Sequence, residues 1–194
     1  MSTTSKAGQR ITSLLDENSF VEIGALVTAR STDFDLKQAE TPSDGVITGY
    51  GVINGNLVYV YSQDASVLNG TVGEMHARKI ANLYDMALKM GAPIIALLDS
   101  AGLRLQEATD ALDAMASIYN KQAMASGVIP QITAIFGTCG GGLAVVPGLT
   151  DGEEHLRKLK EEIDKMFRAI EASLRNAKSK FSSTAYPKRK KFEF

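Results

Sequence analysis

Seven residues, Gly137-Thr138-Cys139-Gly140-Gly141-Gly142-Leu143, carry the clearest capacity for chemistry in this 194-residue chain. Three consecutive glycines leave backbone N–H groups uncovered by any Cβ. The apolar run Gln131 to Phe136 before them reads as a buried strand, and Ala144-Val145-Val146 after them reads as the start of a buried helix. A glycine turn that opens a helix offers unpaired donors and a positive dipole end. Such a turn holds a phosphate or a developing oxyanion. With no chemistry at all, it also serves as a tight turn packed on a neighbouring strand. A second stretch makes the same move. Pro93 to Leu98 reads as another buried strand, runs into Asp99-Ser100-Ala101-Gly102-Leu103-Arg104-Leu105-Gln106-Glu107, and is followed by a helix. Two such turns side by side would present two backbone donors to one carbonyl oxygen, an oxyanion hole built of main chain.

Side chains offer less. Ser100 has no evident partner histidine, and two histidines in the whole chain argue against a Ser-His-Asp site. Cys139 reads as a small buried residue rather than a nucleophile. Asp99, Arg104, Gln106 and Glu107 are expected to hold the turn and cap the following helix, where Glu107 suits the dipole. As the single cysteine, Cys139 excludes an internal disulfide framework and any cysteine-cluster zinc site, and no metal site is expected.

The elements that must position these turns follow from periodicity. Residues 1–9 are expected to fray, and a short helix spans Arg10 to Leu15. Phe20 to Ile23 alternates as a strand. Residues 31–43 read as a surface loop. Gly45 to Ser62 is a β segment, folded back at Asn54-Gly55, a strong hairpin signal. Gly73 to Met90 reads as a helix with Met75, Ile80, Leu83, Met86, Ala87 and Met90 at apolar positions. On it, His76 reads as a structural hydrogen bonder, and Arg78 and Lys79 as a solvated face. Gln106 to Ala125 is the next helix, with Ala108, Leu112, Met115, Ile118 and Tyr119 as its apolar stripe, ended by Gly127 and Pro130. The resulting order is strand, strand, helix, strand, helix, strand, helix, an α/β pattern.

Composition sets the class. Hydrophobic content of 44% and a net charge of −1 describe an ordinary globular protein with one sizeable core. They argue against a generally basic nucleic-acid binder. No apolar run approaches a membrane span, and Met1 to Lys6 lacks the apolar core of a signal peptide. A cytoplasmic location and no membrane insertion are expected.

The motifs taken in series point further. Asp44 to Gly51, Ser62-Gln63-Asp64, Gly73 to Ile80, Asp99 to Glu107, Ser126 to Gln131 and Gly137 to Asp151 occur in the order and spacing of a known family. The chain resembles the carboxyltransferase subunits of biotin-dependent acyl-CoA carboxylases and decarboxylases, within the crotonase-like superfamily. The resemblance covers roughly residues 10–151. It implies an α/β crotonase-like (ClpP/crotonase) ββα spiral, truncated, with an added C-terminal amphipathic helix. On this reading residues 1–151 form the acyl-CoA carboxyltransferase N-terminal-type domain, and residues 152–194 a helix and basic tail. Some bacterial members carry a four-cysteine zinc ribbon, which a chain with one cysteine cannot form.

The implied reaction moves a carboxyl group between an acyl-CoA and biotin on a separate carrier protein, with no covalently bound cofactor in this chain. The thioester enolate gathers charge on its oxygen, and fixed N–H donors stabilise it by about 3–4 kcal/mol each. Motif matching assigns this role to the amides of Gly141 and Gly142 on one turn and of Gly102 and Leu103 on the other. Ser100, Ala101, Arg104 and Gly140 are the expected substrate-binding residues. The family usually has Ser-Gly-Gly-Ala-Arg over residues 100–104, so Leu103 is bulkier and would reshape the acyl pocket. Gly140 replaces a common Ala and is expected to be harmless. Carboxybiotin can itself supply the base, so no protein base is needed. Implied partners are the biotin carrier protein and a complementary carboxybiotin-binding half, from a homo-oligomer or another subunit.

After Asp151 the resemblance stops. Leu156, Leu159, Ile163, Met166, Ile170 and Ala177 approximate a heptad seam, widened by Phe167 and Leu174. A tail rich in Lys and Arg follows, expected to be solvated. Two competing readings remain: a biotin-independent crotonase-like hydratase or isomerase, which needs paired carboxylates at the glycine turns, and a non-catalytic truncated subunit that assembles through its C-terminal helix.

Overall fold

Asn54 and Gly55 both take positive φ, 50° and 79°, the conformation that lets a two-residue turn match the twist of its flanking strands. They join β2 (Val46–Ile53) to β3 (Asn56–Gln63), paired antiparallel from Ile53↔Asn56 to Val46↔Gln63. Asp16 fixes this turn from outside, its two carboxylate oxygens accepting the N–H groups of Asn54 and Gly55 at 3.1 Å each. The computed structural model describes residues 4–30 and 41–153. The expected C-terminal helix and basic tail, and most of the expected 31–43 loop, lie outside the described residues.

The strands form one six-stranded sheet in sequence order. The short β1 (Val21–Ile23) pairs antiparallel with β2. Beyond β3 every pairing is parallel: to β4 (Ile94–Ser100), β5 (Gln131–Cys139) and the two-residue β6 (Gly152–Glu153). Parallel neighbours need crossover connections, and the helices supply them. Helix α2 (Glu74–Met90) links β3 to β4, and α3 (Ala108–Ala125) links β4 to β5. Repeated crossovers put the ends of β3, β4 and β5 on one edge, where ligands of such sheets bind.

Both helices cover one face of the sheet. Tyr59, Tyr61, Ile94, Ala96 and Leu98 meet Ile80, Leu83, Tyr84 and Ala87 of α2 and Met115 and Ile118 of α3 in one buried cluster. The first helix, α1 (Lys6–Leu14), covers the other face. Its C-cap Leu15 lies against Gly51, where a Cβ would come within 2.6 Å of Leu15 Cδ1. The resemblance implied a crotonase-like α/β architecture, and the chain has it.

Several boundaries differ from expectation. The first helix begins at Lys6, because Ser5 caps it by accepting the Gly8 N–H at 3.2 Å. Ala7 and Ile11 are then fully buried. Lys79 is not solvated: its ammonium donates to the carbonyls of Ser43, at 3.0 Å, and Val46. The stripe of α3 is Ala111, Ala114, Met115, Ile118, Gln122 and Ala125, whereas Ala108 and Leu112 face solvent. Small alanines carried the packing face, so the larger Leu112 misled the phase. Met90 is exposed as well. The glycine turn continues as a 3-10 helix, Gly141–Ala144, before the single turn α4 (Val145–Gly148).

Candidate active site

The two small-residue turns lie against each other. Ser100 at the end of β4 pairs with Cys139 at the end of β5. One residue on, the Gly140 N–H donates to the Ser100 carbonyl at 3.1 Å. The contact beyond is too close for side chains. A Cβ on Gly102, whose φ is 108°, would stand 2.6 Å from the Gly140 oxygen; one on Gly140 would stand 2.5 Å from the Ala101 oxygen. Glycine at 140 is therefore the residue that fits this packing without a shift of the neighbouring backbone.

The donors of the two turns have different fates. Gly141 and Gly142 are the first residues of the 3-10 helix, where backbone N–H groups have no partner within the helix. Both residues are exposed, and among the described residues neither N–H has a recorded acceptor. Leu143 instead closes the turn onto the Gly140 carbonyl at 3.2 Å. On the other turn the Gly102 N–H is engaged, donating to Ser100 Oγ at 3.1 Å. Leu103 is bracketed by two bonds, Val72 donating to the Gly102 carbonyl at 2.8 Å and Arg104 to the Val72 carbonyl at 2.9 Å, and among the described residues its own N–H has no acceptor. Ser100 thus orients the turn locally, and Leu103 rather than Gly102 carries the open donor there.

Arg104, expected among the substrate-binding residues, has no exposed surface. Its guanidinium bonds Asp44 at 2.6 Å, Glu107 at 2.9 Å, and the Thr71 carbonyl at 2.7 Å. Glu107 does not cap its own helix; its second oxygen accepts the Glu74 N–H at 2.6 Å, at the start of α2. Asp44 in turn accepts the His76 N–H at 2.7 Å. The His76 ring continues the chain. Its Nδ1 faces the Asp44 carbonyl at 2.9 Å, so it carries the proton, and its Nε2 accepts from the Gln63 amide at 3.2 Å. Gln63 closes the circuit by accepting the Asp99 N–H at 3.2 Å. Asp99 pairs with Arg10 at 2.6 Å, and that guanidinium stacks on Phe136 at 4.6 Å. The floor beneath the turns is thus a buried polar network spanning α1, α2, β3 and β4.

Sequence reasoning found the two turns and the structural role of His76, but missed the partners of Arg104. The signal was present in the motifs themselves, since Asp44, Gln63 and His76 each sit in a matched stretch. Burial holds His76 neutral, with the nearby Arg104 charge adding to the effect, and lowers its pKa to about 3. Between that value and the ordinary one near 6.5, the unfolded chain binds a proton that the folded chain refuses. Stability attributable to His76 is therefore complete above pH 6.5 and lost as pH falls. Between pH 6.5 and 4 the loss is roughly 3 kcal/mol. Asp44, whose pKa burial raises, opposes it. Denaturant unfolding across this range, compared with His76→Gln, is expected to give the wild type the steeper decline.

One residue at the junction of the second turn with α3 is strained. Ala108 has φ 46° and ψ −120°, a conformation natural to glycine. Ala108→Gly is expected to raise unfolding stability by about 1 kcal/mol, read as a rise in thermal midpoint, opposite in sign to the usual effect of glycine.

Among the described residues no three His, Cys, Asp or Glu side chains cluster to hold a metal, and no helix is long and apolar enough to cross a membrane. Comparison with known proteins agrees with the geometry. A family model described as the carboxyl transferase domain matches residues 4–158. The methylmalonyl-CoA decarboxylase subunit alpha of Propionigenium modestum is 48% identical over 145 residues, which is 75% of this chain and 28% of that protein. The propionyl-CoA carboxylase beta chain of Roseobacter denitrificans shows the same identity and coverage. Among solved structures, transcarboxylase 12S with methylmalonyl-coenzyme A bound superposes with a TM-score of 0.74 at 40% identity, over 76% of this chain and 29% of its own. The chain thus spans little more than a quarter of the length of these relatives. A glycine-turn pair at the ends of parallel strands, the spacing of its motifs and these matches lead to one conclusion: the chain belongs to the carboxyl transferase domain family.

Proposed function

We propose that this chain is the acyl-CoA half of a biotin-dependent carboxyltransferase or decarboxylase. The observation that carries the reading is the pair of interlocked turns, Gly102 against Gly140, whose Leu103, Gly141 and Gly142 N–H groups have no acceptor among the described residues. An acyl-CoA would lay its thioester carbonyl against these donors. Loss of a proton or a carboxylate next to the thioester moves charge onto that oxygen. Donors already fixed by the β4–β5 contact stabilise it without reorganising, and removal of one such donor slows related chemistry by roughly 10²–10³. On a separate carrier protein, carboxybiotin donates the carboxyl group in one direction and biotin accepts it in the other. The half-buried Leu103 side chain packs against the main core and would narrow the space for the acyl group.

A hydratase or isomerase reading needs free paired carboxylates at the turns. Asp99 is paired with Arg10, and Glu107 is buried against Arg104, so the carboxylates nearest the turns are structural. Complementary halves of the reaction, including the carrier and the carboxybiotin-binding half, are assigned to partners or to a second copy.

Calorimetric titration of the full chain with acetyl-, propionyl- and malonyl-CoA tests the proposal, with free coenzyme A as the comparison. Micromolar binding that is tighter for an acyl thioester than for free coenzyme A is the expected result. A folded chain that does not distinguish them contradicts it. The comparison is made between ligands because Gly142→Pro, which deletes one donor, also forces bulk against Tyr119: even a Cβ there would lie 2.8 Å from the Tyr119 hydroxyl.

A further inference from the structure

We infer that Tyr119 is the positioning residue of the glycine turn: its hydroxyl, bonded to the Gly142 carbonyl, holds the Gly141 and Gly142 amides in the orientation that a thioester oxygen requires. The inference rests on the acyl-CoA reading above. Backbone bonds restrain residues 140–143: Gly140 is tied to Ser100, Leu143 is folded back onto Gly140, and Val145 donates to the Gly142 carbonyl. The Tyr119 hydroxyl donates to that same carbonyl. It is the one side-chain hydrogen bond recorded onto these four residues among those described.

A run of three glycines has more backbone freedom than any other triplet. Among the described residues the Gly141 and Gly142 N–H groups have no acceptor to fix their planes. Tyr119 acts on the adjoining plane, Gly142–Leu143, and so on how the Gly142 N–H beside it is presented. Its ring packs against the main core cluster, so its position is set by α3 and the sheet rather than by the turn. Its hydroxyl lies so close to Gly142 that a Cβ there would be 2.8 Å away. Burial raises the pKa of the phenol, which keeps the donor protonated. The next segment is held separately, by Gln122 donating to the Val146 carbonyl at 3.2 Å. Removing the Tyr119 oxygen therefore loosens the donors without unfastening the helix behind them. Because the Gly142 carbonyl keeps the Val145 N–H and Gly142 is exposed, folding is little affected.

The test is Tyr119→Phe in the full chain, which keeps the ring and removes the oxygen. Polarisation is read from the carbonyl 13C shift of bound carbonyl-labelled propionyl-CoA, and turn motion from 15N relaxation of Gly141 and Gly142. We expect the carbonyl displacement seen with the wild type to fall by roughly half or more. The order parameters of the two glycines should drop toward the flexible range, below about 0.6. Thermal midpoint and affinity for free coenzyme A should be unchanged. An unaltered carbonyl shift with unaltered order parameters overturns the inference. So does a variant whose thermal midpoint falls along with both signals, since that is a structural effect. If the wild type itself shows no carbonyl displacement, the acyl-CoA reading fails on its own account. Tyr119 is then decided by relaxation alone, where unchanged order parameters overturn it.

Discussion

Arg104→Met is expected to destabilise the chain by about 3–5 kcal/mol, a large part of the stability of an ordinary domain. Methionine fills similar volume but leaves Asp44 and Glu107, both without exposed side-chain surface, as unpaired buried charges. Desolvation of a lone buried carboxylate is what makes the change severe. Stranded charge also sets the pH dependence. Burial already raises the Asp44 pKa; in the variant the guanidinium that opposes this is gone, so the neutral carboxyl is favoured further. The penalty is then full at neutral pH and fades as the pH falls through that raised pKa. Denaturant unfolding at pH 7 and pH 5 should show the gap between variant and wild type narrowing at the lower pH. Adding Asp44→Asn and Glu107→Gln to Arg104→Met should recover part of the loss. A gap independent of pH would mean that lost packing, not stranded charge, carries the effect.

Gly102→Ala is expected to separate the two turns. The substitution meets two obstacles at once: a φ of 108° and a Gly140 oxygen 2.6 Å from the new methyl group. Left-handed strain alone is worth roughly 1–3 kcal/mol, and the obstructing atom is backbone, which cannot rotate away. A total near 3 kcal/mol is the expected loss of unfolding stability. The functional loss should exceed what stability predicts. At a temperature where the variant is still folded, acyl-CoA binding should fall at least tenfold, because the β4 and β5 donors no longer share one site. Thermal unfolding and calorimetry on the same sample separate the two effects. A variant that binds acyl-CoA like the wild type would show that the interlock is packing only.

These two residues also mark what could be read from the amino-acid order. Gly102 sits in a pattern that announces itself: apolar strand, small-residue turn, helix, repeated at Gly140 to Leu143. Local periodicity is enough to place both turns at strand ends, and the hairpin at Asn54-Gly55 was equally plain. Arg104 is the opposite case. Nothing local distinguishes an arginine that faces a ligand from one that is buried, and its partners Asp44 and Thr71 lie 60 and 33 residues away. Lys79 failed for the same reason, since its carbonyl acceptors at Ser43 and Val46 come from another part of the chain. The packing face of α3 was missed because alanines form it, and small residues give a weak periodic signal. Which donors remain open was also out of reach. The bond from Gly102 to Ser100 Oγ is a matter of side-chain rotamer, invisible in a list of residue types.

The proposed function requires a thioester oxygen to sit against the open amides of Leu103, Gly141 and Gly142. Backbone 15N–1H spectra of the full chain, titrated with propionyl-CoA and then with the S-propyl thioether of coenzyme A, test it most directly. The two ligands differ by one carbonyl oxygen. These three amide protons should move downfield with the thioester and stay in place with the thioether. Equal displacement by both ligands, or movement confined to other residues, would contradict the proposed function and leave the two turns as packing alone.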